Sequence, residues 1–169
     1  MMSDRNMFWI HGVNTQVQFT KEYPSTAFAG EPDAGTPTAI VRNANGTTVR
    51  QDGDGRGRRT SNWFHLAIPT ATQLVDREVD IWHVWLQGEI NGQATIVGVD
   101  IYEGGGRTKE RIYRDDGLSL SARALDEDYR LNTKCKDPLV LCLKVLFEDG
   151  GQVIFAGAGA QIVGPETGG

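Results

Sequence analysis

Apolar residues alternate with polar ones at every second position through much of this chain, and no segment sustains a helical period. Leu139, Leu141, Leu143, Val145 and Phe147 show the pattern most plainly, because an extended strand projects all five from one face. Strand-like segments run over Met7–Gly12, Thr15–Thr20, Thr38–Arg42, Thr47–Arg50, Asn62–Ile68, Val79–Ile90, Gln93–Glu103, Leu118–Ala122, Leu139–Glu148 and Gln152–Val163. Turn chemistry separates them at Asn45-Gly46, Asn91-Gly92, Gly104–Gly106, Asp115-Asp116-Gly117 and Asp149-Gly150-Gly151. Only Ala124–Arg130 is expected to make a helical turn. The pattern predicts an all-β protein, a two-sheet antiparallel β-sandwich or jelly roll of about ten short strands.

At 169 residues the chain has the length of one ordinary domain, so 1–169 is read as a single sandwich. Residues 31–60, rich in Gly, Pro, Asp and Asn, form a long excursion with one small Asn-Gly hairpin and an expected mobile tip. Residues 164–169 are expected to be a frayed tail. A hydrophobic fraction of 39% and a charged fraction of 23% exclude wholesale disorder, and no apolar run reaches the ~18 residues of a membrane helix. A net charge of −5 argues against nucleic acid or an anionic membrane as partner. The N-terminal residues lack a signal-peptide pattern, and Cys135 and Cys142 form no CxxC. Free thiols in a cytoplasmic protein are the expectation; a disulfide would tether a strand to its own lead-in loop.

Asn91-Gly92 between two apolar runs predicts a two-residue hairpin. That register sets Val84 against Val99, Leu86 against Val97 and Trp82 against Ile101 on the core face. On the other face it sets His83 against Asp100 and lays Trp85 over Gly98. A second hairpin is expected to join Leu139–Phe147 to the small-residue run Ala156–Ala160, turning at Asp149-Gly150 or at Gly150-Gly151.

The chain has 3 His and 4 Trp, and Trp9-Ile-His11, Trp63-Phe-His65 and His83-Val-Trp85 each put one of each on the same strand face. If the three strands converge, they build a concave surface with indole walls and imidazole hydrogen-bonding groups, joined by Asp100 and Tyr102. The competing interpretation makes these half-buried strand residues at the rim of the sandwich. Three His and an Asp would also suit a transition metal, but no HxH or HxxxH spacing supports it. Asp52-Gly-Asp-Gly lacks the later ligands of a calcium loop. No nucleophile motif and no phosphate-binding Gly-rich loop is present, and no cofactor is implied.

Trp9-Ile-His-Gly12 and Thr60-Ser-Asn-Trp-Phe-His-Leu-Ala-Ile-Pro-Thr70, followed by Val99-Asp-Ile-Tyr102 and Asp116-Gly-Leu-Ser-Leu120, resemble a family of small bacterial all-β proteins of unknown function. Departures are the Gly/Asp/Arg insertion before Ser61, Ala71 in place of a second proline, and Phe155-Ala-Gly-Ala-Gly159 at the family's Trp-Gly-Ile-Gly ending. The resemblance implies a compact β-sandwich and no activity.

The function expected is that of a binding or interaction module. Trp9, His11, Trp63, His65, Trp85 and Tyr102 would face a small molecule, a sugar or a protein partner, including a second copy in a homo-oligomer. The first alternative is a small isomerase, cyclase or hydrolase with a His83–Asp100 acid–base pair, with or without a His-bound metal. The second is a structural subunit of a bacterial assembly.

Overall fold

Alternating apolar residues from Val79 to Glu103 fold into one strand of 25 residues, β6 (Val79–Glu103), which organises the molecule. The structure is a computed structural model and describes residues 5–21, 33–69, 79–104, 109–135 and 137–163. The remaining strands are β1 (Arg5–His11), β2 (Gln16–Val17), β3 (Ala39–Asn43), β4 (Gly46–Gln51), β5 (Thr60–Ile68), β7 (Glu110–Asp115), β8 (Leu120–Cys135), β9 (Leu139–Phe147) and β10 (Gly151–Val163). These strands pair antiparallel throughout.

The sheet is continuous but doubled over. The first half of β6 lies between β10 and β8, with β4 and β1 sharing the far edge of β10 and β3 beyond β4. Its second half lies between β9 and β7, with β5 and then β2 beyond β9. One strand thus passes from the first sheet into the second, a usual way to make the corner of a β-sandwich.

The Asn91-Gly92 hairpin is therefore corrected. Gly92 does take a positive φ of 61°, but it bends β6 between sheets instead of reversing it. A Cβ there would sit 2.5 Å from the Gly150 carbonyl oxygen, so the bend also needs the missing side chain. Both edges of each half are occupied by other strands, and no edge is left for Val84 to meet Val99. The chain reverses after Gly104, and β7 and β8 retrace β6 from Glu103 back to Val79.

The helical turn at Ala124–Arg130 is also corrected, because these residues belong to β8. Leu125 and Tyr129 both face the core, and their four-residue spacing fits a helix or a strand equally well. The β9–β10 hairpin does not form a ladder: β9 pairs with one half of β6 and β10 with the other. The turn between them centres on Asp149-Gly150, closed by the Gly151 amide donating to the Glu148 carbonyl at 3.0 Å.

All five odd-numbered apolar residues of β9 are fully buried, as their alternation predicts. Phe64 of β5 crosses the gap between the sheets to Phe155 of β10, with ring centroids 5.0 Å apart, and meets Phe147 edge-on at 6.1 Å. Buried Asn62 completes this layer. Its Oδ1 accepts from the Phe19 amide at 3.0 Å, and its Nδ2 donates to the Phe19 carbonyl at 2.9 Å and to Gln51 Oε1 at 3.1 Å. These bonds fix the segment after β2, including Gln18, against β5.

In the 31–60 excursion, β3 and β4 form the expected small hairpin, but its two turn residues are Ala44-Asn45, and Gly46 already pairs with Asn43 as the first residue of β4. The following Gly/Asp/Arg loop is tied to the β9–β10 corner by reciprocal bonds, from the Gly53 amide to Asp149 Oδ1 and from the Gly150 amide to Asp52 Oδ1. The expected tail at 164–169 lies outside the described residues.

Candidate functional site

Sheet assignment divides the three Trp/His pairs. Trp9, His11, His83 and Trp85 lie on the outer face of the first sheet, because Phe8, Ile10, Val84 and Leu86 take the inward positions. Trp63 and His65 lie on the outer face of the second sheet, on either side of inward-facing Phe64. The three strands do not converge on one surface.

The second sheet carries a cleft. One row across it reads Gln16, His65, Cys142, Asp100 and Arg114, strand by strand. Trp63 stands in the next row on one side and Tyr102 on the other. His65, Cys142, Asp100, Trp63 and Tyr102, together with Gln18, Gly104, Lys109 and Val140, line a hollow of about 300 Å³. An adjoining hollow of about 390 Å³, lined in part by Gly98, Arg114, Asp116 and Lys144, shares Trp63 and Asp100 with it. Such volumes lie at the small end of the ~300–1,000 Å³ range of ligand pockets.

Hydrogen bonding defines the protonation of the cleft floor. His65 Nε2 lies 3.0 Å from Gln18 Oε1, and its Nδ1 lies 3.0 Å from Cys142 Sγ. Gln18 Oε1 can only accept, so Nε2 carries the proton and Nδ1 accepts from the thiol. Burial acts in the same sense on both groups: it lowers the His65 pKa, assisted by the Lys109 charge, and pushes the Cys142 thiol up to about 12. The pair is a neutral imidazole beside a neutral thiol, which makes it an anchor and not an activated nucleophile.

Asp100 is the polar centre of the cleft. It is 7% exposed, yet its partners are distant: Arg114 Nε lies 3.7 Å from Oδ1, and the Tyr102 hydroxyl donates to Oδ2 at 3.5 Å. A buried carboxylate held this loosely keeps acceptor capacity that its protein partners do not fill. Lys109 Nζ sits 3.8 Å from the centre of the Tyr102 ring, and Lys144 Nζ sits 5.9 Å from that of Trp63.

The His83–Asp100 pair is corrected, since the two residues occupy opposite outer faces. His83 Nδ1 instead hydrogen-bonds Asp128 Oδ1 at 2.7 Å, across the β6–β8 ladder. Trp85 does not cover Gly98; it packs parallel to Trp9 over Gly159 of β10. His11 is spent on structure: its Nδ1 accepts from the Val13 amide, and its Nε2 donates to the Ala44 carbonyl at 2.9 Å. Among the described residues no three His, Cys, Asp or Glu side chains are grouped to hold a metal ion.

No family model and no curated protein matches the chain. Among solved structures it is similar to TmCBM61, determined in complex with beta-1,4-galactotriose. The TM-score is 0.50 at 8% identity, covering 89% of each chain. At that identity the likeness is one of fold, and it supports the all-β sandwich or jelly roll. A second match, to infectious bursal disease virus Gx strain, has a TM-score of 0.31 at 12% identity and covers 98% of this chain but 35% of that one.

Cleft residues that escape sequence reasoning include Gln18, Lys109, Cys142 and Lys144. Only Cys142 had a signal, because it stands opposite His65 once β5 is paired with β9. That pairing joins segments 77 residues apart, and no local pattern announces it.

Proposed function

We propose that the chain is a carbohydrate-binding module and that the Trp63–Asp100–Tyr102 cleft is its sugar site. One observation carries the proposal: a nearly buried, loosely partnered carboxylate lies between two aromatic side chains in a hollow of pocket size. A sugar ring has apolar C–H faces and an equatorial belt of hydroxyls. Trp63 offers a surface for the faces and Tyr102, one ring face of which carries Lys109, borders it, while Asp100 Oδ1 and Oδ2 offer acceptors for the hydroxyls. Lys109 and Gln18 are placed to contribute further polar contacts. The fold likeness to TmCBM61, whose structure contains a galactotriose, supports the same ligand class.

Affinity electrophoresis tests the proposal, with gels containing galactan, arabinogalactan, xylan, mannan, xyloglucan or mixed-linkage glucan. At least one polysaccharide should retard the wild-type chain. Trp63→Ala should weaken that retardation about tenfold or more, the ~1.4 kcal/mol scale of a lost stacking contact. Equal mobility in every gel would refute the proposal.

A further inference from the structure

On the far side of the sandwich, Trp9 of β1 and Trp85 of β6 flank Gly159 of β10 in a single row. Their rings lie 10° from parallel with centroids 5.7 Å apart, and His83 extends the stack at 5.6 Å and 5° from Trp85. Gly157 and Gly159 keep the intervening strand bare in two successive rows. Trp9 remains 44% exposed and Met7 57% exposed. Polar side chains surround the rings: Asp128 opposite Trp85, Arg130 opposite His83, and Gln87 with Asp126 in the following row.

The size and charge of this face select its occupant. Its strongly exposed large apolar side chains, among the described residues, are Met7 and Trp9 on β1 and Val41 on β3, three in all. A stable dimer covers ~800 Å² per partner around an apolar centre. A second copy would also bury Asp126, Asp128 and Arg130, which is costly without matched partners. A small ring with an apolar face and a hydroxylated edge suits parallel indoles bordered by carboxylate, amide and guanidinium groups.

We propose that this face is a second carbohydrate contact surface and that the chain is bivalent for polysaccharide. The inference rests on the sugar-binding reading of the cleft and extends it. The two surfaces point away from each other across the sandwich, so one stiff glycan cannot engage both. The chain therefore bridges separate glycan molecules, with avidity gained only on a multivalent surface.

The experiment uses whichever polysaccharide of the panel above retards the wild type, and measures retardation, the turbidity of protein–polysaccharide mixtures and solution mass. The wild type should be monomeric and should raise turbidity. Trp9→Ala/Trp85→Ala should still be retarded, several-fold less, and should leave the mixture clear. Trp63→Ala should also leave it clear, and the triple variant should lose retardation. Circular dichroism checks each fold, and Trp9→Ala alone replaces the double variant if that one misfolds. Wild-type retardation and turbidity in the Trp9/Trp85 variant would overturn bivalency while leaving the cleft intact. A wild-type dimer dissolved by that variant would overturn it by making the face a self-interface. Absence of retardation of the wild type by every polysaccharide would remove the cleft reading and this one together.

Discussion

Trp9 and Trp85 lie parallel across the bare backbone of Gly159, held by three strands in register. A Cβ on Gly159 would stand 2.7 Å from Trp9 Cδ2 and 2.7 Å from the Phe8 carbonyl oxygen. Gly159→Val should therefore displace the Trp9 ring. The expected outcome is loss of the exciton signal of the tryptophan pair in far-ultraviolet circular dichroism, with destabilisation of about 1–3 kcal/mol in urea. An unchanged signal would contradict the stacked geometry.

Burial pushes the thiols of both Cys135 and Cys142 up to about 12. Both are free and buried. At pH 8 neither should react with a disulfide reagent while the chain is folded, and both should react after denaturation. Fast modification of Cys142 in the folded chain would contradict its neutral bond to His65.

Burial holds the His65 pKa below 6.5, so the unfolded chain binds this proton first as pH falls. Stability should decline from about pH 7 downward until the lower folded pKa is reached, and then level off with respect to this group. His65→Gln should lack that component. Urea midpoints measured from pH 8 to pH 5 for both proteins should converge toward acid pH, and parallel curves would contradict the assignment.

Asn62→Ala would remove the bonds that Asn62 makes to the Phe19 amide, the Phe19 carbonyl and Gln51 Oε1. A loss of about 2–4 kcal/mol is expected, since each buried bond lost costs ~1–3 kcal/mol and relaxation recovers part. Urea unfolding measures it, and a loss under 1 kcal/mol would show that the segment after β2 is not anchored here.

Period-two alternation made the strands of this sandwich legible, down to the inward face of β9 from Leu139 to Phe147. Pairing was not legible, because Asn91-Gly92 carries the same residues whether the strand reverses or bends between sheets. The difference lies in which strands occupy the edges of β6, and those come from segments far along the chain. The site suffered the same loss. Trp63, His65, Asp100 and Tyr102 belong to the single surface that the sequence suggests and do line one cleft, but the Asn91-Gly92 register matches His83 to Asp100 through the wrong ladder. The Ala124–Arg130 segment is ambiguous for a simpler reason, since the four-residue spacing of Leu125 and Tyr129 satisfies both periods.

The most direct test of the sugar site reads the indole N–H signals of the 4 tryptophans by nitrogen–proton NMR. Trp63→Phe assigns the cleft signal, and β-1,4-galactotriose and xylo-, manno- and cello-oligosaccharides are titrated in turn. The account predicts that at least one sugar shifts the Trp63 signal in a saturable manner and that Asp100→Asn weakens this response. If no sugar moves the Trp63 signal, the cleft is not a carbohydrate site.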